Sequence, residues 1–171
     1  GALGFVSYRV PGIAVLPSGE LLVTYEGRSG ESSRRALLMR RSEDGGRSFG
    51  PRTVLKEPEG EELLHNPMLL ARSSGELLLF WCQDYSRLFC RRSRDGGLTF
   101  GPTRELTGEI DAFRDKWPVT LWSISPGHGV EMADGTLVIP LWLSRGENAH
   151  LPACFACLYS TDGGEAWHCS S

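Results

Sequence analysis

Residues 42–49 read Ser42-Glu43-Asp44-Gly45-Gly46-Arg47-Ser48-Phe49, and the pattern Ser-x-Asp-Gly-Gly-x-x-aromatic returns twice more. The second copy spans residues 93–100 and the third spans residues 160–167. Five matching positions in three copies indicate a chain built from repeats. We refer to each copy as an Asp box.

Each Asp box predicts a tight turn between two strands. An aspartate side chain hydrogen-bonds backbone amides of its own turn, a serine hydroxyl does the same, and Asp-Gly-Gly supplies residues that accept a positive φ. The closing aromatic would anchor the second strand in the core. One aspartate per box is too few oxygen ligands for a hard cation, so we predict a structural role and no metal. The residues given this role are Ser42, Asp44, Gly46, Phe49, Ser93, Asp95, Gly97, Phe100, Ser160, Asp162, Gly164 and Trp167.

The repeat extends well upstream of the box. In each unit an apolar run, a turn with glycine (Gly19, Gly75 or Gly135) and a second apolar run precede a third run that leads into the box. The turn glycines are 56 and 60 residues apart, and no stretch shows sustained helical periodicity. Four antiparallel strands per unit at this period predict an all-β chain of about three β-propeller blades, approximately 5–58, 62–108 and 126–171.

The composition is that of a globular protein with a formal net charge of −3. It shows no basic patch of the kind that binds nucleic acid and no apolar run long enough to span a membrane. No motif predicts a cofactor. Closed propellers have about four to eight blades, so three units predict a fragment whose C-terminal blades are missing. The third box lies so close to Ser171 that no fourth strand is expected after it.

Strand order predicts where a site would lie. In a four-stranded meander the boxes fall at one end of the blade, together with the turns between first and second strands. The other end, here called the polar end, holds the turns between second and third strands and the blade starts. It is predicted to collect Arg9, Arg28–Arg35, His65–Asn66, Asp84–Arg87, His128 and Arg145–His150. A long link at 108–125 is assigned to the same end, and long connections are often functional.

These residues carry a resemblance to a known family. The segment Tyr8-Arg9-Val10-Pro11 followed by three Asp boxes resembles a sialidase of the bacterial exo-α-sialidase type, whose propeller has six blades. Four further segments resemble parts of that family in the same order: Glu26-Gly27-Arg28, His65-Asn66-Pro67, Ala112-Phe113-Arg114 and Pro126-Gly127-His128-Gly129. The similarity covers nearly the whole chain.

The resemblance implies an exo-glycosidase that releases terminal sialic acid, with retention, from glycoproteins, gangliosides and oligosaccharides. Sialidases use a tyrosine nucleophile, which avoids pushing an anion onto a substrate that already carries a carboxylate. Three arginines normally hold that carboxylate and an aspartate is the general acid/base. No cofactor or metal is implied.

Family roles fall on five residues. Arg9 matches the first carboxylate-holding arginine, and Arg28 matches an arginine near the sugar 4-hydroxyl, although a solvated surface charge is the alternative for both. Asn66 would hydrogen-bond the sugar or simply start a turn. His128 has at most a pocket-lining role. The acid/base aspartate has no counterpart before Asp44, and Glu31, the carboxylate at a comparable distance ahead of the box, is the candidate acid/base, with a solvated loop glutamate as the alternative.

The tyrosine nucleophile, its glutamate partner and two further arginines have no match in the chain. We therefore expect that the chain alone does not hydrolyse sialosides. Asp-box propellers also serve as non-catalytic modules that bind glycans or proteins, and the absent aspartate near Glu31 fits that alternative. The two hypotheses differ in whether later blades supply the tyrosine, the glutamate and the arginines.

Overall fold

A computed structural model describes residues 4–30, 34–148 and 150–170. The first sheet comprises β1 (Ser7–Val15), β2 (Leu21–Arg28), β3 (Arg35–Ser42) and β4 (Thr53–Lys56), and the second comprises β5 (Leu64–Ala71), β6 (Leu77–Gln83), β7 (Arg87–Ser93) and β8 (Arg104–Glu105). One turn of 3₁₀ helix (Thr107–Ile110) and α1 (Asp111–Arg114) follow. The third sheet comprises β9 (Leu121–Ile124), β10 (Val130–Glu131), β11 (Leu137–Asn148), β12 (Leu151–Ser160) and β13 (His168–Cys169).

Each sheet is an antiparallel meander in chain order, which confirms the all-β prediction and the partial β-propeller. In the third sheet, β9 and β10 pair with successive parts of β11 and together take the place of one first strand. The sheet therefore includes residues upstream of the expected blade start at 126. The expectation that no fourth strand follows the third box is wrong, because β13 pairs with the end of β12.

Apolar side chains between neighbouring sheets hold the blades together. One cluster joins the first and second sheets, with Leu22, Leu37 and Met39 facing Leu79 and Trp81. A larger cluster joins the second and third sheets and includes Phe80, Trp122 and Trp167. These strands are long enough to alternate between two faces, so each blade can bury one face against each neighbour.

The innermost strand of each blade is the first of its sheet, and these first strands meet at a closely packed point. Gly12 of β1 is buried, and a Cβ atom built on it would lie 2.5 Å from the carbonyl oxygen of Gly127 and 3.3 Å from that of Pro67. The Thr24 hydroxyl, which donates to the Pro67 carbonyl at 3.0 Å, would lie 3.0 Å from the same Cβ. Only a residue without a side chain lets the three blades approach this closely.

The three Asp boxes close with the same local hydrogen bonds. In the second box the Ser93 hydroxyl donates to Asp95 at 2.7 Å and accepts from the Gly97 amide at 2.7 Å, while the Thr99 amide donates to Asp95 at 2.9 Å. The first and third boxes repeat this arrangement. These are the bonds that the turn interpretation requires, and they lie at the end of the sheets away from β2–β3 and β6–β7 turns.

Acid should weaken the first box. Hydrogen bonds from the hydroxyl and amide of Ser48, and from Ser42, lower the pKa of Asp44 from 3.8 to about 2. Because the folded pKa lies below the unfolded one, ionised Asp44 stabilises the fold above pH 3.8, and this contribution is lost as the pH falls toward 2. We expect the urea midpoint to fall between about pH 4 and pH 2, and to fall less steeply in Asp44→Asn. Asp115→Asn, which changes an exposed aspartate, is the control. If the urea midpoint falls equally steeply with pH in Asp44→Asn, Asp115→Asn and the parent chain, the assignment is contradicted.

Candidate functional site

Two innermost strands bend in the same way at the polar end. β1 has an irregular pairing between Arg9 and Gly12, and β5 has one between His65 and Met68. Each irregularity contains a residue with positive φ directly before a proline, namely Val10 at 56° and Asn66 at 52°. Such backbone conformations are costly for residues other than glycine and persist where surrounding contacts hold them, often at functional sites.

Glu26 contacts residues of the polar end through both of its carboxylate oxygens. Its carboxylate is fully buried, and its Oε2 atom accepts from Arg28 Nε at 2.7 Å and lies 2.5 Å from Arg28 Nη2. Nη1 of Arg35 lies 3.7 Å from the same oxygen. The other oxygen, Oε1, accepts from the backbone amide of Asn66 at 3.0 Å. One buried carboxylate thus binds Arg28, lies within ion-pair distance of Arg35 and accepts from the strained backbone of the second blade.

Asn66 also reaches the third blade. Its side-chain amide donates to the Ser123 hydroxyl at 2.9 Å and to the Ile124 carbonyl at 2.7 Å. Both amide hydrogens therefore have protein partners, and the side-chain oxygen is the atom that could accept a bond from a ligand. The contacts show Asn66 as a connection among three blades.

His65 is a buried neutral histidine. Its Nε2 accepts from the Tyr85 amide at 3.1 Å, so the proton resides on Nδ1, which lies 3.2 Å from the Ser123 hydroxyl. The ring stacks on Tyr85 with centroids 4.2 Å apart. Tyr85 in turn contacts Trp142 and His150, which brings aromatic rings of the second and third blades together at the polar end.

The protonation of His65 can be measured directly. Burial lowers its pKa from 6.5 to about 4, and the positive charge of Arg35 adds to the effect. Because the folded pKa is depressed, the neutral ring stabilises the fold above pH 6.5, and this contribution is lost as the pH falls toward 4. We expect the ¹⁵N resonances of His65 to stay unchanged from pH 8 down to about pH 5, and to titrate near 6.5 in urea. A midpoint near 6.5 in the folded chain would contradict the buried, neutral assignment.

The residues predicted from sequence are not all brought together. Arg28 and Asn66 both contact Glu26, and Arg9 lies directly across from Glu26 in the β1–β2 pairing. Arg9 is exposed and lines a groove of about 560 Å³ with Tyr8, Tyr25 and Arg52. His128 lies further along the blade, beside Ile13, Val15 and Ala71, away from this group. Glu31 lies outside the described residues.

The arrangement suits a negatively charged ligand. Arg28 and Arg35 contribute two positive charges against one on Glu26, and Arg9 adds another in an exposed position. Guanidinium groups match carboxylates with two parallel hydrogen bonds. Among the described residues no tyrosine hydroxyl hydrogen-bonds a carboxylate.

Sequence reasoning did not assign roles to Glu26, Arg35, His65 or Tyr85. A signal for Glu26 was present, because strict alternation along β2 puts it on the same face as Leu22 and Thr24, which are both fully buried. A charged residue on a buried face needs partners of opposite charge or hydrogen-bonding groups. The pairing of Arg35 with Glu26 depends on the cross-strand register, which the sequence does not reveal.

Separate meander sheets that pack side by side, each with an Asp box, define an Asp-box β-propeller. The chain belongs to the BNR repeat-like domain family, whose model matches residues 19–171. It is 28% identical over 193 residues to mouse (Mus musculus) Sialidase-3, covering 95% of this chain and 46% of that protein. These findings confirm the resemblance to sialidases with BNR repeats.

Solved structures show the same fold. The Hadza microbial sialidase Hz136 superposes with a TM-score of 0.80 at 23% identity, over 98% of this chain and 38% of its own. A Trypanosoma rangeli sialidase in complex with sialic acid superposes with a TM-score of 0.75 at 14% identity, over 96% of this chain and 30% of its own. The chain therefore spans less than half the length of the relatives described here. Among its described residues, no helix has the length and hydropathy needed to cross a membrane.

Proposed function

We propose that the chain forms the part of an exo-α-sialidase that holds terminal sialic acid for retaining hydrolysis from glycoconjugates. The single observation that carries the proposal is the cationic group at the polar end, where Arg28 is paired with the buried carboxylate of Glu26, Arg35 lies 3.7 Å from it and Arg9 lies across from it in the strand pairing. Sialic acid is an anion, and the family relationship to proteins named sialidases supports the same ligand.

Arg9 is the proposed contact to the sugar carboxylate. Its guanidinium is exposed, and it precedes the bend at Val10, which is held in a left-handed conformation. Arg28 is fixed by two contacts to Glu26, which limits its rotamers before a ligand arrives. A pre-organised cation loses less entropy on binding than a free one, so both features favour capture of an acidic sugar.

The reaction needs groups that we assign to blades beyond this chain. Retention requires a nucleophile, which in sialidases is a tyrosine, and a general acid/base. In this proposal the tyrosine, its glutamate and two further arginines come from those blades, and Glu31 is the acid/base. The isolated chain then binds sialic acid and does not turn it over.

Two measurements test the proposal. Saturation-transfer NMR with N-acetylneuraminic acid should show binding by the chain, and Arg9→Gln should weaken it about tenfold, as expected for a charge-assisted hydrogen bond. Failure of the parent chain to bind would overturn the proposal. The chain should hydrolyse a fluorogenic sialoside no faster than buffer alone does. Release of the fluorophore that depends on the chain would overturn the assignment of the nucleophile to other blades.

The second candidate is a non-catalytic module that binds sialylated glycans. The absence of an aspartate between Arg28 and Asp44, where Glu31 is the only carboxylate before Glu43, favours it. Reading the gene past the codon for Ser171 separates the candidates. Further blades with a tyrosine, a glutamate and two arginines at the polar end support the sialidase, and blades without them support the binding module.

A further inference from the structure

We propose that Arg35 is a further substrate-holding residue, a second fixed cation that contacts the carboxylate of an acidic sugar next to Arg28. The inference rests on the proposed function and adds a residue to the same site. Arg35 is the first residue of β3, and it lies directly opposite Arg28 in the β2–β3 pairing.

Two arginines directly opposite each other on neighbouring strands destabilise the folded state unless another charge compensates for them. Directly opposite residues on neighbouring strands project from the same face with Cβ atoms about 5 Å apart, and like charges there destabilise the sheet. Glu26 offsets the repulsion, but one carboxylate neutralises one of the two guanidinium groups. His65, which lies close enough to feel the charges of both arginines, is neutral at pH 7 and adds no charge. The group of Glu26, Arg28 and Arg35 therefore keeps a positive charge that an anion can neutralise.

The hydrogen-bond donors of Arg35 are not used by Glu26. Arg28 takes Oε2 of Glu26 with both Nε and Nη2, whereas Nη1 of Arg35 stops at 3.7 Å, which is beyond hydrogen-bond distance. Among the described residues, Arg35 makes no side-chain hydrogen bond. Its side chain is nevertheless only 16% exposed, so its position is restricted. A restricted, partly dehydrated guanidinium with unused donors is suited to a planar carboxylate.

The neighbouring residue provides a matched control. Arg34 is exposed and donates to the Pro58 carbonyl at 3.3 Å, away from Glu26. Arg34→Gln and Arg35→Gln each remove one positive charge from adjacent positions, so they change the long-range electrostatic attraction of an anion almost equally. A difference between them therefore reports direct contact.

The test is titration of the chain and its variants with N-acetylneuraminic acid and with its methyl ester, at one fixed salt concentration. We expect Arg35→Gln to weaken binding of the acid about tenfold and Arg34→Gln less than twofold. The ester, which lacks the charge, should bind Arg35→Gln and the parent chain alike. Arg35→Lys, which keeps the charge but loses the planar fork, should fall between the parent chain and Arg35→Gln. This variant also decides the matter if Arg35→Gln does not fold.

Three results would overturn the inference. If Arg35→Gln and Arg34→Gln bind the acid equally while the parent chain binds it well, Arg35 makes no contact and the proposed function stands. If Arg35→Gln weakens the ester as much as the acid, Arg35 does not read the carboxylate. If the parent chain does not bind the acid, both this inference and the proposed function fail.

Discussion

Replacement of Glu26 by glutamine is expected to lower the free energy of unfolding by about 3 kcal/mol, because it removes a buried negative charge and leaves the nearby positive charges uncompensated. Glutamine has almost the same shape, and its oxygen can still accept from the Asn66 amide. It cannot offset the positive charges of Arg28 and Arg35, which then face each other across β2 and β3. Urea unfolding at pH 7, followed by tryptophan fluorescence, measures the change.

A matched substitution isolates the effect of burial. Glu20 also pairs with an arginine, with Oε1 at 2.7 Å from Nη1 of Arg41, but its side chain is 30% exposed. Glu20→Gln should change stability far less than Glu26→Gln, since water can solvate the groups left unpaired. Similar losses in the two variants would show that the shared carboxylate has no special role in joining the blades.

The second large effect is expected at the point where the inner strands meet. Gly12→Ala should lower the free energy of unfolding by about 3 kcal/mol. The new methyl group would be 2.5 Å from the Gly127 carbonyl oxygen and 3.3 Å from that of Pro67, and backbone atoms cannot rotate aside as side chains can. Relief requires the three blades to move apart, which also stretches the hydrogen bond from Thr24 to Pro67.

Gly60→Ala serves as the control for the loss of glycine itself. Gly60 is exposed, and no atom lies within 4 Å of a Cβ built there. We expect this variant to unfold at the same urea concentration as the parent chain, or slightly higher, because alanine reduces the entropy of the unfolded state. If Gly12→Ala behaves like Gly60→Ala, the blades are not in the close contact described.

The parts of the fold that the sequence predicted are those that depend on local contacts. The Asp boxes use bonds between residues two to four apart, so a short pattern such as Ser93 to Thr99 contains all the participants. β9 was not predicted, because Leu121–Ile124 is a short run within a long link and pairs with residues about 20 positions later. β13 was not expected because two residues after a box give no strand pattern.

The candidate site was predicted in outline, and its central residue was not. Strand order alone assigns Arg9, Arg28 and Asn66 to the same end of the blades, and the structure brings the last two onto Glu26. The contact between Asn66 and Glu26 joins residues 40 positions apart, and the contact between Asn66 and Ile124 joins residues 58 apart. Pairings across this distance depend on how the blades stack, and no local pattern encodes that stacking.

The separation of the Asp boxes from the polar end has a practical consequence for oriented surface attachment. Leu98, at the tip of the second box, is 72% exposed, and only its backbone takes part in the turn, through a bond from its amide to Asp95. A Leu98→Cys variant could be biotinylated there once the exposed Cys154 and the partly exposed Cys157 and Cys169 are replaced by serine. Molecules fixed to a sensor chip by this tip would all present Arg9, Arg28 and Arg35 to the flowing solution. Immobilisation chemistry and ligand capture would then occupy opposite sides of one small domain.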